Sequence, residues 1–190
     1  DSPTGPFAYS IDPTYGDAAD FSINASNQLV LTPSANFEAK ASYLVRVKTT
    51  DPTNLSFSKI FTITINDVNE PPTALALSAT NIAENSPANS VVGSFTTSDP
   101  DAGDTFTYSL VDPAGTTDNA AFTISGNQLR LIGIPNFEAN PSYSVLVRTT
   151  DKAGLFFDQV FTITVQDVGE TPTAINLSAT NIDENQPINS

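Results

Sequence analysis

The sequence predicts an all-β fold: tandem β-sandwiches of about seven strands each, recurring every 100 residues. Three observations carry this. The chain repeats itself at a fixed offset. Its apolar residues alternate with period two over short runs. Turn residues punctuate those runs throughout, with 14 Pro and 9 Gly in 190 residues.

The repeat is explicit. Asn36-Phe37-Glu38-Ala39 recurs as Asn136-Phe137-Glu138-Ala139, and Phe61-Thr62-Ile63-Thr64 as Phe161-Thr162-Ile163-Thr164. Pairing 36–90 with 136–190 gives 34 identities in 55 positions. The front halves match more loosely and one residue out of step: Phe7-Ala8-Tyr9-Ser10 pairs with Phe106-Thr107-Tyr108-Ser109. The division this implies is a truncated repeat over 1–70 lacking its first strands, a complete repeat over 71–170, and the first strand of a third over 171–190.

The elements read as strands. Tyr43, Val45 and Val47 alternate with Leu44, Arg46 and Lys48, and Tyr143, Val145 and Val147 repeat the pattern. Shorter runs follow at 91–95, 106–110, 121–124 and 128–132. No segment shows helical spacing. In the complete repeat the expected core is Tyr108, Phe122, Ile124, Leu129, Leu131, Phe137, Tyr143, Val145, Val147, Phe161, Ile163 and Val165.

Composition excludes several functions. With 21 acidic against 7 basic residues the net charge is −14, the wrong sign for nucleic acid or an anionic membrane surface. No apolar run is long enough to cross a membrane as a helix, so no membrane insertion is expected. There is no Cys and no His, which removes thiolate sites and the commonest general base. The balance suits binding of cations.

The carboxylates lie in loops, at matching places in each repeat. Asp67-Val68-Asn69-Glu70-Pro71-Pro72 recurs as Asp167-Val168-Gly169-Glu170-Thr171-Pro172, and Ala83-Glu84-Asn85 as Asp183-Glu184-Asn185. Asp99-Pro100-Asp101 follows a strand. Asp51 and Asp151 close another. Asp104, Asp112 and Asp118 read as turn residues, which Asp commonly is.

These motifs, in this order, resemble those of tandem cadherin-like repeats found in large bacterial surface proteins. The segment 67–72 is similar to the family's Asp-x-Asn-Asp-Asn-x-Pro linker. Ala83-Glu84-Asn85 resembles its Pro-Glu-Asn element, and Asn36-Phe37-Glu38 and Asn136-Phe137-Glu138 its Asp-Arg-Glu element. Asp99-Pro100-Asp101 resembles its Asp-x-Asp element. The resemblance implies an all-β chain of Ig-like/cadherin-like Greek-key sandwiches, extracellular or on the cell surface, with Ca²⁺ between successive repeats. Glu38, Asp67, Glu70, Asp99, Asp101 and Asp151 would be ligands at one junction, with the backbone carbonyl of Asn69. Glu84, Glu138, Asp167 and Glu170 would serve the next. Oxygen-only donors in such numbers suit Ca²⁺, which takes 6–8 oxygens. Departures from the family pattern occur at Asn36, Asn136, Glu70 and Gly169, and fewer ions per junction than the family's three are expected.

The function implied is a calcium-stiffened structural or adhesive repeat, not an enzyme. A self-assembling filament or sheath subunit is the alternative, with 173–190 adding as a strand to a neighbouring chain. The partners expected are neighbouring repeats, identical chains or surface glycans, the last through Phe156 and Phe157.

Overall fold

The computed structural model describes residues 6–112, 114–115, 117–176 and 184. Among the described residues thirteen strands run in order: β1 (Ala8–Ile11), β2 (Phe21–Ile23), β3 (Leu29–Leu31), β4 (Ser42–Thr50), β5 (Ser56–Thr64), β6 (Ala74–Leu77), β7 (Asn81–Ala83), β8 (Ser90–Ser98), β9 (Thr107–Leu110), β10 (Phe122–Ser125), β11 (Gln128–Leu131), β12 (Ser142–Thr150) and β13 (Phe156–Gln166). Single 3-10 turns at Ala18–Asp20 and Asn119–Ala121 precede β2 and β10.

The chain divides into two compact units. One comprises Asp1–Leu75, Thr97–Thr107 and Thr149–Phe157; the other comprises Ala76–Thr96, Tyr108–Arg148 and Asp158–Ser190.

In the first unit β4 lies between β1 and β5, antiparallel to both, with Val45 opposite Phe61 and Val47 opposite Ile11. The β2–β3 hairpin packs its apolar face on this sheet. Phe21 meets Tyr43 edge-on with ring centroids 5.7 Å apart. Ile11, Leu29, Leu31, Val47, Ile63 and Ile65 close round Phe21, Tyr43 and the fully buried Val45. Alternation produces this directly: on a strand only every second side chain faces the core.

In the second unit two four-stranded sheets form a sandwich, ordered β10-β11-β8-β6 and β7-β13-β12-β9. Phe95 on β8 bridges them, stacking on Tyr108 of β9 at 5.0 Å and lying 6.1 Å from Phe161 of β13. Phe122 and Tyr143 repeat the edge-on pair of Phe21 and Tyr43, at 5.4 Å. The hairpin turns repeat too. Asn27 and Gly126 hold left-handed φ values of 62° and 59°, which these two residue types tolerate best.

The segment 71–166 has one feature beyond the seven simple strands expected. Its first strand is split between the sheets. Ser78 N–H donates to Ser94 O at 3.0 Å, continuing the β6–β8 pairing, while Thr164 N–H donates to Thr80 O at 2.9 Å, opening the parallel β7–β13 pairing. The switch passes over Gly93, where an added Cβ would lie 2.8 Å from Ala79 O.

The expected core residues face inward, with Phe122, Leu129, Leu131, Val145, Val147, Ile163 and Val165 buried and the other five half-buried. Phe95, Val92, Leu75 and Ile82 are buried as well. Phe156 is exposed as expected, but Phe157 is half-buried. Adjacent residues on β13 face opposite ways, so the pair cannot form one exposed platform. Residues 171–176 carry no strand, and most of the strand expected over 171–190 lies outside the described residues.

Candidate metal centre

Three local devices position the acidic side chains of the first unit. Asn36 caps a single turn, its Oδ1 accepting from Ala39 N–H at 2.5 Å while Lys40 N–H donates to Asn36 O at 3.0 Å. Glu38 stands on that turn. Asn136 does the same for Glu138, with Ala139 N–H donating at 2.6 Å. Capping a turn explains why Asn serves at these positions, since its carbonyl accepts as an Asp carboxylate would.

The second device is the Asp99–Asp104 loop. Asp101 N–H donates to Asp99 Oδ1 at 2.9 Å, and Gly103 at φ 89° turns the chain back. The third is the Asp151 turn, where Oδ1 accepts from Ala153 N–H at 2.9 Å and Leu155 N–H at 2.8 Å. Asp51 makes the matching turn in its own repeat with Thr53 and Leu55.

Segment 67–70 is fastened to these loops by hydrogen bonds. Glu70 N–H donates to Asp101 Oδ2 at 2.9 Å, and Asn69 Nδ2 donates to Asp151 Oδ2 at 2.8 Å and to Glu70 O at 3.0 Å. The Asn69 side-chain amide thus fastens the segment, a role separate from the backbone-carbonyl ligation that the resemblance implies.

Two carboxylate groups result. Glu38, Asp67, Glu70 and Asp101 bring one oxygen each within 4.8 Å of one another, and so do Asp99, Asp104 and Asp151. Oxygens bound on opposite sides of one Ca²⁺ at 2.3–2.6 Å stand at roughly this separation. A pocket of about 610 Å³ lies over the first group, lined by Phe37, Glu38, Asp67, Asn69, Asp101 and Lys152 among others.

Asp104 corrects the sequence reading. It had been read as a turn residue, yet its side chain is 0% exposed and aims into the group of Asp99 and Asp151. The signal was present: Asp99, Asp101 and Asp104 follow one another within six residues, on a loop that Gly103 reverses. Lys152 was also missed; it forms an ion pair with Asp104.

The electrostatics are those of a crowded anion site. Burial, with Asp101 and Glu38 adding to it, raises the Asp67 carboxyl above its ordinary value. Burial likewise raises Glu70, with Glu38, Asp101, Asp67 and Asp99 adding to it. Glu70 Oε2, Asp99 Oδ2 and Asp104 Oδ2 are buried without a hydrogen-bond partner. Buried carboxylate oxygens need compensation, and a bound cation supplies it. The donor set therefore fits a hard divalent ion held by oxygen.

In the second unit Glu84, Glu138 and Glu170 converge in the same way. Glu84 is buried, and its carboxylate accepts from Val168 N–H at 2.6 Å and Phe137 N–H at 3.0 Å. Those two bonds hold it below the usual range despite its burial. For Glu138 its own backbone N–H lowers the carboxyl, but desolvation together with Glu170 and Glu84 outweighs this and raises it. Asn85 Nδ2 donates to Glu170 Oε1 at 3.0 Å. Asp167 is not one of the three; it stands beside Glu84, close enough to affect its ionisation.

A family model described as "Putative Ig domain" matches residues 71–166, which is half the chain. The chain belongs to this Ig-domain family. Its relatives are cadherins. It is 31% identical over 173 residues to protocadherin Fat 2 of Rattus norvegicus, covering 84% of this chain and 4% of that protein. It is 28% identical over 197 residues to human cadherin-24, covering 85% of this chain and 24% of that protein. The chain thus spans a small part of these relatives. Among solved structures, human protocadherin-24 EC1-2 superposes with a TM-score of 0.69 at 22% identity, covering 89% of this chain and 85% of that one. A protocadherin gammaB7 EC3-6 cis-dimer gives 0.60 at 28% identity, covering 85% of this chain and 40% of that one. The chain is a cadherin-like Ig-type repeat module, extracellular or on the cell surface. Among the described residues, no helix is long and apolar enough to cross a membrane.

Proposed function

We propose that this chain is a calcium-dependent structural and adhesive module within a larger array of such repeats, with repeat boundaries near residues 70 and 170. The observation that carries the calcium reading is the pair of adjoining carboxylate groups, in which three buried carboxylate oxygens lack partners. Calcium would be held by Glu38, Asp67, Glu70 and Asp101, and by Asp99, Asp104 and Asp151. It would supply the charge compensation that these oxygens need. The protein residues set the geometry: Asn36 presents Glu38, the Asp151 turn presents its second oxygen, and Glu70 N–H fixes Asp101. A bound ion would tie segment 67–70 to the two loops and stiffen that linker.

Thermal unfolding in ~2 mM calcium and in excess chelator tests this, since extracellular modules bind at about 10⁻⁴–10⁻³ M. A higher midpoint with calcium, abolished in Asp99→Ala, is expected. Superimposable curves would retire the reading.

Self-association is the second part of the proposal. It rests on the cis-dimer named for the gammaB7 fragment and on the apolar residues exposed on β5, where Phe57 is 68% exposed. Sedimentation with and without calcium checks it, and a monomer at all concentrations under both conditions would count against it.

A further inference from the structure

We propose that Lys152 is a built-in counter-cation of the Asp99–Asp104–Asp151 group, one that calcium must displace, so that it sets the affinity of this centre. This rests on the calcium reading above and adds its regulation.

The geometry is specific. Lys152 directly follows Asp151, whose carboxylate belongs to the group, and its ammonium pairs with Oδ1 of Asp104. The Asp104 side chain is fully buried, and its other oxygen has no partner and aims into the group. The Lys152 side chain itself is 62% exposed, so the ammonium can swing out to water without breaking the core. It also lines the pocket over Glu38, Asp67 and Asp101. Asp104 first, then Asp101 and Asp67, favour its charged form. One lysine thus faces carboxylates of both groups.

A single positive charge cannot neutralise seven carboxylates, but it holds the metal-free loops together. When calcium enters, Asp104 is asked to serve two cations, and the monovalent one, mobile and exposed, yields. Its repulsion of a divalent ion and its prior claim on Asp104 both weaken apparent binding. Across a few ångströms of solvent-screened space this amounts to on the order of tenfold, and less as salt rises.

The internal repeat supplies the contrast. The loop Asp151-Lys152-Ala153-Gly154-Leu155 corresponds to Asp51-Pro52-Thr53-Asn54-Leu55. Pro52 occupies the lysine's place there and carries no charge. Successive centres of one array would therefore respond to different calcium concentrations, with the lysine-bearing one filling later.

The test is calcium titration by calorimetry of the full chain in a Glu138→Gln, Glu170→Gln background, which silences the other group. Lys152→Gln should bind calcium about tenfold more tightly at low salt and melt lower when metal-free. Lys152→Arg, which keeps the charge, should bind like the parent. Equal calcium affinity in the parent and Lys152→Gln overturns the inference while leaving the calcium reading intact. Calcium uptake by neither protein overturns both.

Discussion

Asn69 and Asp151, 82 residues apart, are joined by a 2.8 Å hydrogen bond from the Asn69 amide to Asp151 Oδ2. Burial alone would raise the Asp151 carboxyl. The Asn69 amide, with the backbone N–H groups of Leu155, Gly154 and Ala153, outweighs it and holds the group below its ordinary 3.8. A carboxylate depressed in the folded state adds stability above its unfolded value, and that stability is lost as pH falls through the folded value. Asn69→Ala removes part of this contribution. In chelator, its acid-unfolding midpoint is expected at higher pH than the parent's, as followed by circular dichroism. An unchanged midpoint would show that the clasp adds nothing to folding. At the equivalent place the next linker has Gly169, which has no side-chain amide to offer.

Asp67 and Glu70 behave in the opposite sense. Both carboxyls are raised, so the folded protein binds their protons more tightly than the unfolded chain does. They cost no stability below their ordinary values of 3.8 and 4.5, and the cost grows as pH rises through those values to the folded ones. Without calcium, Asp67→Asn and Glu70→Gln should each melt higher than the parent at pH 7. With calcium the order should reverse, because each removes a donor. Melting curves of the three proteins under both conditions decide this. A variant that melts lower than the parent in chelator would show that these carboxylates do not repel one another.

Much of this was legible in the sequence because two periods are visible at once. Alternation set the faces of β4 and β12, and the 100-residue offset placed Tyr143 where Tyr43 stands. Repetition also drew attention to Glu38, Asp67 and Glu70, which recur as Glu138, Asp167 and Glu170. It could not do so for Asp104 and Lys152. The equivalent of Lys152 is Pro52, and Asp104 falls in the loosely matched front half of the repeat, where position and chemistry both drift. The split first strand was hidden for another reason. Ala74–Leu77 and Asn81–Ala83 belong to different sheets, and the chain crosses where Ala79 approaches Gly93, between the hydrogen bonds of Ser78 and Thr80.

Glu84 is expected to be structural before it is a ligand. Its carboxylate accepts two backbone N–H groups, from Val168 and Phe137. Replacing it with Ala takes away the acceptor of both donors, a destabilising change. Glu84→Ala should therefore melt lower than the parent in chelator as well as in calcium, whereas Glu138→Gln, which removes a raised carboxyl, should melt higher than the parent in chelator at pH 7 and lower only in calcium. The parent should also lose stability as pH falls through the depressed Glu84 value. If Glu84→Ala melts like the parent in chelator, the two backbone bonds contribute nothing net.

Phe95 is the residue on which the sandwich closes. It is 1% exposed and reaches from β8 to Tyr108 and Phe161 on the opposite sheet. Truncation removes both ring contacts and leaves a void that close-packed strands cannot collapse to fill. Phe95→Ala should lose about 3–5 kcal/mol of unfolding free energy. Phe95→Leu keeps apolar contact and should fall between it and the parent, since the lost ring pairs add ~0.5–1.5 kcal/mol each beyond burial. Denaturant titration in chelator measures both without involving the carboxylate groups. Because the ring touches both sheets, the transition of Phe95→Ala should remain cooperative at lower denaturant. A loss under ~1 kcal/mol would mean that the sheets are held together elsewhere.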